Sequence, residues 1–468
     1  MSSITQDVLA QLAAFESPNV TFVDPAGDWP IVWERARGCH VWDAEGRRYL
    51  DLTAAFGVAA AGHANRAVVK AGQQQMGRLL HAMGDVHPHA LKARLAQTLS
   101  ELTFGRWSAT RSFPDPQRSA LLQGKTIFGS SGFEAVEAAL KTARLATGKP
   151  GIIAFQGGYH GLGYGALNAT HRSLFRDPFR NQLKEFGTFL DWPPCGTFAC
   201  ACTGESCAPL DSLERTLRRA FRNRPVGAIL VEPVQARGGI RIPHPDFLPL
   251  LRRVATEHGA LLILDEIYTG FGRTGRWFAC EHTGVIPDLI CLGKALTGGF
   301  PLSACVGRAE LMDAWPPSQG EAIHTSTFLG HPVGCAMALA QIAELQRRRL
   351  PERSARLGTF LLDGLRLLPR DLGRLLIQVR GIGLMAGIEL QTSNGRPAAL
   401  ESITAVKRLL SRGLIVLPEG EHGEVIGFTP PLTLTRADLQ RTLQTVHEVL
   451  VEIGGQLAPT RRLQRSHR

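Results

Sequence analysis

The sequence predicts an α/β protein built on a largely parallel sheet, and three observations carry that expectation. Five short, almost wholly apolar runs recur through the middle of the chain. Amphipathic helical patterns fall between several of them. Glycine-containing turns punctuate the joins, and the chain's 50 glycines allow many tight turns. Strands covered on both faces read as unbroken apolar runs, and parallel strands need crossovers, usually helical.

Taken in order, the opening "MSSITQDVLAQLAAFESP" reads as an amphipathic helix. It lacks the basic segment, apolar core and cleavage site of a secretory signal. "CHVWDAEGRRYLDLT" places Glu45-Gly46 between two strand-like runs, which predicts a hairpin. The buried strands are expected at Thr126 to Ser130, Gly151 to Phe155, Gly227 to Pro233, Ala260 to Glu266 and Leu289 to Gly293. Helices are expected in "GFEAVEAALKTARLATG", "PDFLPLLRRVATEHG" and "PVGCAMALAQIAELQRRR". An α+β region carrying "VRGIGLMAGIEL" and "GEVIGFTPPLTLT" follows. The expected organisation is a large domain over 66–335 and a smaller one composed of 1–65 and 336–456. The basic tail, 457–468, reads as disordered.

The formal net charge is +11, from 52 basic and 41 acidic residues. Such a balance suits nucleic acid or small acidic ligands. No nucleic-acid reading module accompanies the arginines of "RTLRRAFRNR", "LQRRRL" or the tail, so they read as solvated helix faces or frayed ends. Nucleic acid is therefore not an expected partner. No apolar run is long enough to span a bilayer, and cytoplasmic residence is the default expectation. Nine cysteines, an odd number, argue against a disulfide scaffold. Cys195, Cys200, Cys202 and Cys207 are crowded together, but their spacing fits a metal site only loosely. A surface insertion with reduced thiols is the simpler reading, and no metal is assigned.

Chemistry concentrates where apolar strands end in charge. "LLILDE" ends in Asp265 and Glu266, and "LICLGK" ends in Lys294. Ligands of open parallel sheets bind beyond the carboxyl ends of the strands. The two charges can simply pair, or they can hold opposite ends of one ligand. A lysine in an apolar pocket has a depressed pKa and becomes a nucleophile for Schiff-base formation. That suits an aldehyde cofactor with a basic ring nitrogen, pyridoxal 5′-phosphate. Lys294 would hold its C4′ as an aldimine while Asp265 keeps the pyridine nitrogen protonated, an effect worth about 1.4–4 kcal/mol. A phosphate cradle is offered by Gly129-Ser130-Ser131-Gly132 at the start of a helix, although Ser131 and Glu134 also spell a plain capping box. Tyr159 in "GGYHG" can stack on the ring or pack on its own core.

Together these segments resemble the class III, ornithine/omega-type, pyridoxal-phosphate-dependent aminotransferases over most of the chain. The carrying motifs are "SGFEAVEAALKTAR", "GGYHG", "VEPVQARGG", "LLILDEIYTGFGRTG", "PDLICLGKALTGGFPLSA", "HTSTFLGHP" and "VRGIGLMAGIEL". The resemblance implies fold type I: a mostly parallel seven-stranded sheet in the large domain and a composite α+β small domain. It implies that Lys294 carries the aldimine and shuttles a proton, and that Asp265 binds the ring nitrogen. Ile267 packs behind the ring opposite Tyr159, and Gly132 and Phe133 present amides to the phosphate. Ser131, Glu232 and Tyr268 complete the implied cofactor set. Thr327 reaches the phosphate of the neighbouring subunit, since active sites of the family lie at a homodimer interface. The implied reaction moves an amino group from an amine donor to a 2-oxo acid by a ping-pong route. An aminomutase, racemase or phospho-lyase on the same fold is the alternative.

Two departures bear on substrate. Many relatives carry an arginine shortly before "PPL" and a glutamate after "EPVQG"; here Gly427 and Arg237 stand in those places. One reading makes Arg237 the carboxylate-binding cation, with Gly427 giving it room. The other points Arg237 at solvent or Glu232 and leaves the substrate an amine without a carboxylate. His331 replaces a usual asparagine, Tyr268 either meets the cofactor's phenolic oxygen or packs internally, and Arg273 reads as a loop anchor.

Overall fold

The computed structural model describes residues 3–24, 29–109, 123–194, 207–373 and 375–456. Three of the four crowded cysteines, Cys195, Cys200 and Cys202, lie outside these residues, as does the basic tail; Cys207 is buried at a helix start.

The opening helix, Ile4–Phe15, is capped by Ser3 and buries none of its residues. Strands β1 (Trp33–Arg37), β2 (His40–Asp43) and β3 (Arg48–Asp51) form an antiparallel meander. The hairpin at Glu45-Gly46 is present, with Gly46 at φ +80°, a value that glycine tolerates without strain.

Seven strands make the central sheet: β4 (Gly124–Gly129), β5 (Gly151–Phe155), β6 (Gly187–Leu190), β7 (Val226–Val231), β8 (Leu261–Asp265), β9 (Leu289–Leu292) and β10 (Ser303–Arg308). Their order is β4-β10-β9-β8-β7-β5-β6, and only β10 runs against its neighbours. Every residue of β5, β7, β8 and β9 is buried, which is why these segments contain no alternating polar positions. Helix Gly132–Thr147 lays Ala135, Ala138, Ala139 and Ala143 against this sheet. It stops at Gly148, held at φ +68°.

Two segments of this sheet escape the pattern of long apolar runs. Strand β6 is a four-residue edge strand, only partly buried, and β10 follows a glycine-proline loop and contains Gly307. Short edge strands carry too little periodicity to announce themselves.

The chain then continues through helix Pro332–Arg347 into β11 (Leu375–Ile382), β12 (Met385–Thr392), β13 (Leu414–Ile415), β14 (Leu417–Glu419) and β15 (Val425–Phe428). Strand β13 joins β3 in parallel, so residues from both ends of the chain share one sheet. The others form an antiparallel sheet ordered β11-β12-β15-β14. Helix Ala208–Asn223 turns Leu210, Leu213, Leu217 and Ala220 inward and directs its arginine-rich remainder outward. Among the described residues, no helix is long and apolar enough to cross a membrane.

Arg273 is the loop anchor that its position suggested. It is buried, and its Nη1 donates to the carbonyls of Leu384 (3.0 Å) and Pro430 (2.5 Å), tying the loop after β8 to the C-terminal region. Burial drags its guanidinium down to about 10. Replacing it by leucine strands two carbonyls. At about 1–3 kcal/mol for each unsatisfied buried group, Arg273→Leu should cost roughly 2–4 kcal/mol. A urea midpoint unchanged from the parent protein would refute that role.

Candidate active site

The carboxyl ends of β7, β8 and β9 open onto a cleft of about 580 Å³. Its walls include Gly132, Phe133, Tyr159, His160, Glu232, Arg237, Asp265, Ile267, Tyr268 and Lys294. These residues come from five separate segments of the chain, three of which follow the adjacent strands β7, β8 and β9.

Lys294 lies two residues beyond β9 in a left-handed conformation, φ +38°. Non-glycine residues seldom adopt it, and such strain concentrates at functional positions. Burial pulls the amine below the usual lysine range, with Asp265 and Glu232 opposing. Simple pairing with Asp265 does not occur: among the described residues no carboxylate lies within 4.0 Å of Nζ. The amine sits instead over the Tyr268 ring, 4.4 Å from its centroid.

Asp265 is fixed from two sides. Its Oδ1 accepts from the Ile267 amide (3.1 Å), and its Oδ2 pairs with His160 Nδ1 at 2.8 Å. Both side chains are almost wholly buried. Burial works against a charged His160, but the hydrogen bond and charge of Asp265 outweigh it and raise the imidazole above its ordinary value. His160 belongs to the "GGYHG" stretch read for its tyrosine alone. Glu266 turns away from the cleft and accepts from the amides of Ala279 (2.9 Å) and Cys280 (2.8 Å), a structural duty.

Around the helix start the two readings of the cradle separate. Glu134 Oε2 accepts from the amides of Ser130 (2.6 Å) and Ser131 (2.7 Å) and from the Ser131 hydroxyl (3.2 Å). Ser131 is therefore spent on the helix cap. Gly132 and Phe133 are the first helical residues, and their amides have no intrahelical acceptor. A Cβ at Gly132 would lie 3.0 Å from Ile267 Cδ1, so that position favours glycine.

Tyr159 meets Phe175 edge-on with ring centroids 5.7 Å apart, and its amide donates to Glu232 Oε1 at 3.0 Å. The other oxygen of Glu232 accepts from the Ala236 amide, also at 3.0 Å. Burial lifts Glu232 to about 7, against the charge of His160. The Tyr268 hydroxyl lies 3.2 Å from Thr429 Oγ1, so its polar end has an internal partner while its ring faces the cleft. Thr327 is exposed on a turn before helix Pro332–Arg347 and is not part of this cleft's lining. His331 caps that helix through its Nδ1, which accepts from the Val333 amide.

Arg237 departs from the second of its two readings. It points neither to Glu232 nor simply to solvent: Nε lies 3.5 Å from Glu419 Oε2, and the guanidinium lies 5.5 Å from the Tyr159 ring centroid. The room beside Gly427 belongs to Glu419, since a Cβ at Gly427 would lie 2.9 Å from Glu419 Cγ. His160 in the cleft wall and Glu419 behind Arg237 are ionisable groups that the sequence left unread. Glu419 sits in "LPEGEHGE", whose acids and glycines look like a solvated turn.

Pyridoxal phosphate fits this donor set. An anion would meet the free helix-start amides of Gly132 and Phe133, a protonated ring nitrogen would meet Asp265, and an aldehyde would meet the Lys294 amine. The aminotransferase class-III family model matches residues 22–450. The chain is 34% identical to a putrescine aminotransferase from Pectobacterium atrosepticum, over 97% of this chain and 91% of that protein. It is 36% identical to a 5-aminovalerate aminotransferase from Pseudomonas aeruginosa, over 91% and 94%. The fold superposes with a TM-score of 0.82 on the pyridoxal-phosphate-bound amine transaminase of an uncultivated Pseudomonas species, which is 29% identical, with 94% and 98% of the chains covered. Family match, relatives and cleft agree: the chain belongs to the class III aminotransferases, which are pyridoxal-phosphate-dependent.

Proposed function

We propose that the chain is an omega-amine-type transaminase, passing an amino group from a terminal amine to a 2-oxo acid in two half-reactions. The observation that carries this reading is the unpaired Lys294 amine facing Asp265 across the cleft. Pyridoxal phosphate, when bound, supplies the aldehyde that Lys294 attacks and the ring that draws electrons from the substrate carbon. The protein does the rest. Lys294 Nζ takes and returns the proton at the reacting carbon, and burial, which holds the amine below the usual lysine range, favours the neutral form that a general base needs. Asp265, oriented by His160, holds the proton at the ring nitrogen. Gly132 and Phe133 hold the phosphate, and Tyr159 and Ile267 confine the ring from its two faces. Glu232 fixes the Tyr159 turn through its amide.

The terminal-amine preference draws on two relatives named for putrescine and 5-aminovalerate. The homodimer belongs to the same reading, with the exposed Thr327 turn of a second copy completing the phosphate site. Cytoplasmic residence is retained with it.

Arg237 is assigned the carboxylate of the oxo acid. Charge-assisted hydrogen bonds contribute about 1.5–3 kcal/mol, so Arg237→Leu should raise the oxo-acid KM about 10- to 100-fold while cofactor content stays at the parent level. A KM within twofold of the parent's would remove Arg237 from this role. The whole reading is tested by a half-reaction screen over omega-amino acids, diamines and α-amino acids. Donor alone should shift the cofactor's absorbance, and an oxo acid should restore it. An isomerised product formed without any acceptor would point to an aminomutase instead.

A further inference from the structure

Behind Arg237 stands a carboxylate that the proposed half-reactions leave unused. Glu419 ends β14, is 5% exposed, and faces Arg237 at 3.5 Å. Neither Arg237 Nε nor Glu419 Oε2 makes a hydrogen bond, although both atoms are buried. A pair built for stability alone would close that gap, because a buried charge gains from its partner only at good geometry.

The main chain around the pair is, by contrast, firmly held. Arg172 Nη2 donates to the Arg237 carbonyl at 2.7 Å and also to the Gly420 carbonyl. The Gly420 amide donates to the same Arg237 carbonyl at 3.2 Å. Two loops are thus clamped together while the side chains between them remain slack. Gly427 supplies the space that Glu419 occupies, and any side chain there would collide with it. Arg237 is about one-third exposed and has a path out of the pair; Glu419 has none.

We infer that Glu419 is a specificity-determining residue that receives the distal ammonium group of a diamine donor, with Arg237 as the partner that ammonium displaces. The inference rests on the transaminase reading above. In the donor half-reaction an ammonium takes the place of the guanidinium on Glu419, and Arg237 moves toward solvent. In the acceptor half-reaction a carboxylate draws Arg237 forward. Glu419 then loses its nearest counter-charge but still feels Arg172 and Lys294, with Glu232 opposing. Burial already lifts its carboxyl to about 7, so it can take a proton rather than remain a stranded anion. One cleft can in this way accept a cationic and an anionic end group in turn.

The test uses the holoenzyme and Glu419→Gln, which keeps the shape and removes the charge. The first readout is the donor half-reaction with a terminal diamine and with the monoamine of equal carbon count. The variant should lower the diamine-to-monoamine ratio of half-reaction efficiencies about 10- to 100-fold. The second readout is the equilibrium Kd of glutarate, an inert dicarboxylate, which should tighten because Arg237 no longer has an anionic competitor. Glu419→Asp should restore part of the diamine preference. An unchanged diamine-to-monoamine ratio, or weaker glutarate binding, would overturn the inference; the latter would mean that Glu419 merely props Arg237 in place. Failure of the transaminase reading looks different: the parent protein itself would then show no absorbance change with any donor.

Discussion

Lys294→Ala should abolish turnover, with a loss of at least about 10³–10⁴, because it removes both the covalent anchor and the proton carrier. The substitution is unusually clean. Lys294 holds a left-handed φ of +38°, and alanine carries the same Cβ penalty there, so the backbone strain is not relieved. Nor is an ion pair broken, since no carboxylate lies within pairing distance of Nζ among the described residues. What disappears is the amine. Cofactor should still associate through Asp265 and the amides of Gly132 and Phe133, but without covalent retention. Borohydride reduction followed by peptide mapping separates the two states. The parent protein should carry the pyridoxyl tag on the peptide containing "LICLGKALTGG", and the variant should carry none. A tag on another lysine of the parent protein, or turnover within tenfold in the variant, would end this account.

Why the sequence disclosed Lys294 and Asp265 but hid Glu419 and His160 has a physical reason. The first two are charges that interrupt fully apolar strands, and a charge at the end of a doubly covered strand needs a purpose. Their relation follows from the parallel sheet, because β8 and β9 are neighbours and end at the same edge. Glu419 has no such local mark. Its surroundings in sequence are polar, and only the pairing of β14 with β15, together with the Arg172 clamp, carries it under Arg237. His160 was within view, yet a histidine between glycines acquires meaning only when Asp265, 105 positions away, comes within 2.8 Å. Ser131 shows a different ambiguity. Capping box and phosphate cradle share one local signature, and only the position of Glu134 decides that the serine's amide and hydroxyl serve the cap. The strands follow the same logic: Gly151 to Phe155 coincides with β5, whereas β6 and β10 went unread because short or glycine-broken segments lack a period.

Asp265→Asn should lower kcat about 10²- to 10³-fold while leaving the cofactor bound and the fold intact. A carboxylate within reach of a ring nitrogen favours the protonated form by about 1.4–4 kcal/mol, which corresponds to about 10- to 10³-fold. The upper part of that range applies here because the site is dry: Asp265 is 4% exposed and His160 is 3% exposed. Asparagine keeps the acceptor that Oδ1 offers to the Ile267 amide, so the turn after β8 should survive. In place of Oδ2 it presents an amide N–H, which can only donate, so His160 Nδ1 must accept there and loses the charge that raises the imidazole. The defect should therefore be electrostatic, and its pH dependence has a definite sign. Without the carboxylate, the ring nitrogen binds its proton more weakly, so the variant's deficit should shrink as pH falls and widen as pH rises. A deficit independent of pH would indicate that Asp265 acts by placement. His160→Phe provides the companion measurement, since it leaves the charge of Asp265 but frees the carboxylate to rotate. If Asp265 acts through its charge and His160 through orientation, the histidine variant should show a smaller loss and no such pH slope. Equal losses with equal slopes would make the pair one ionising unit and would shift the proton-holding role from the aspartate to the dyad.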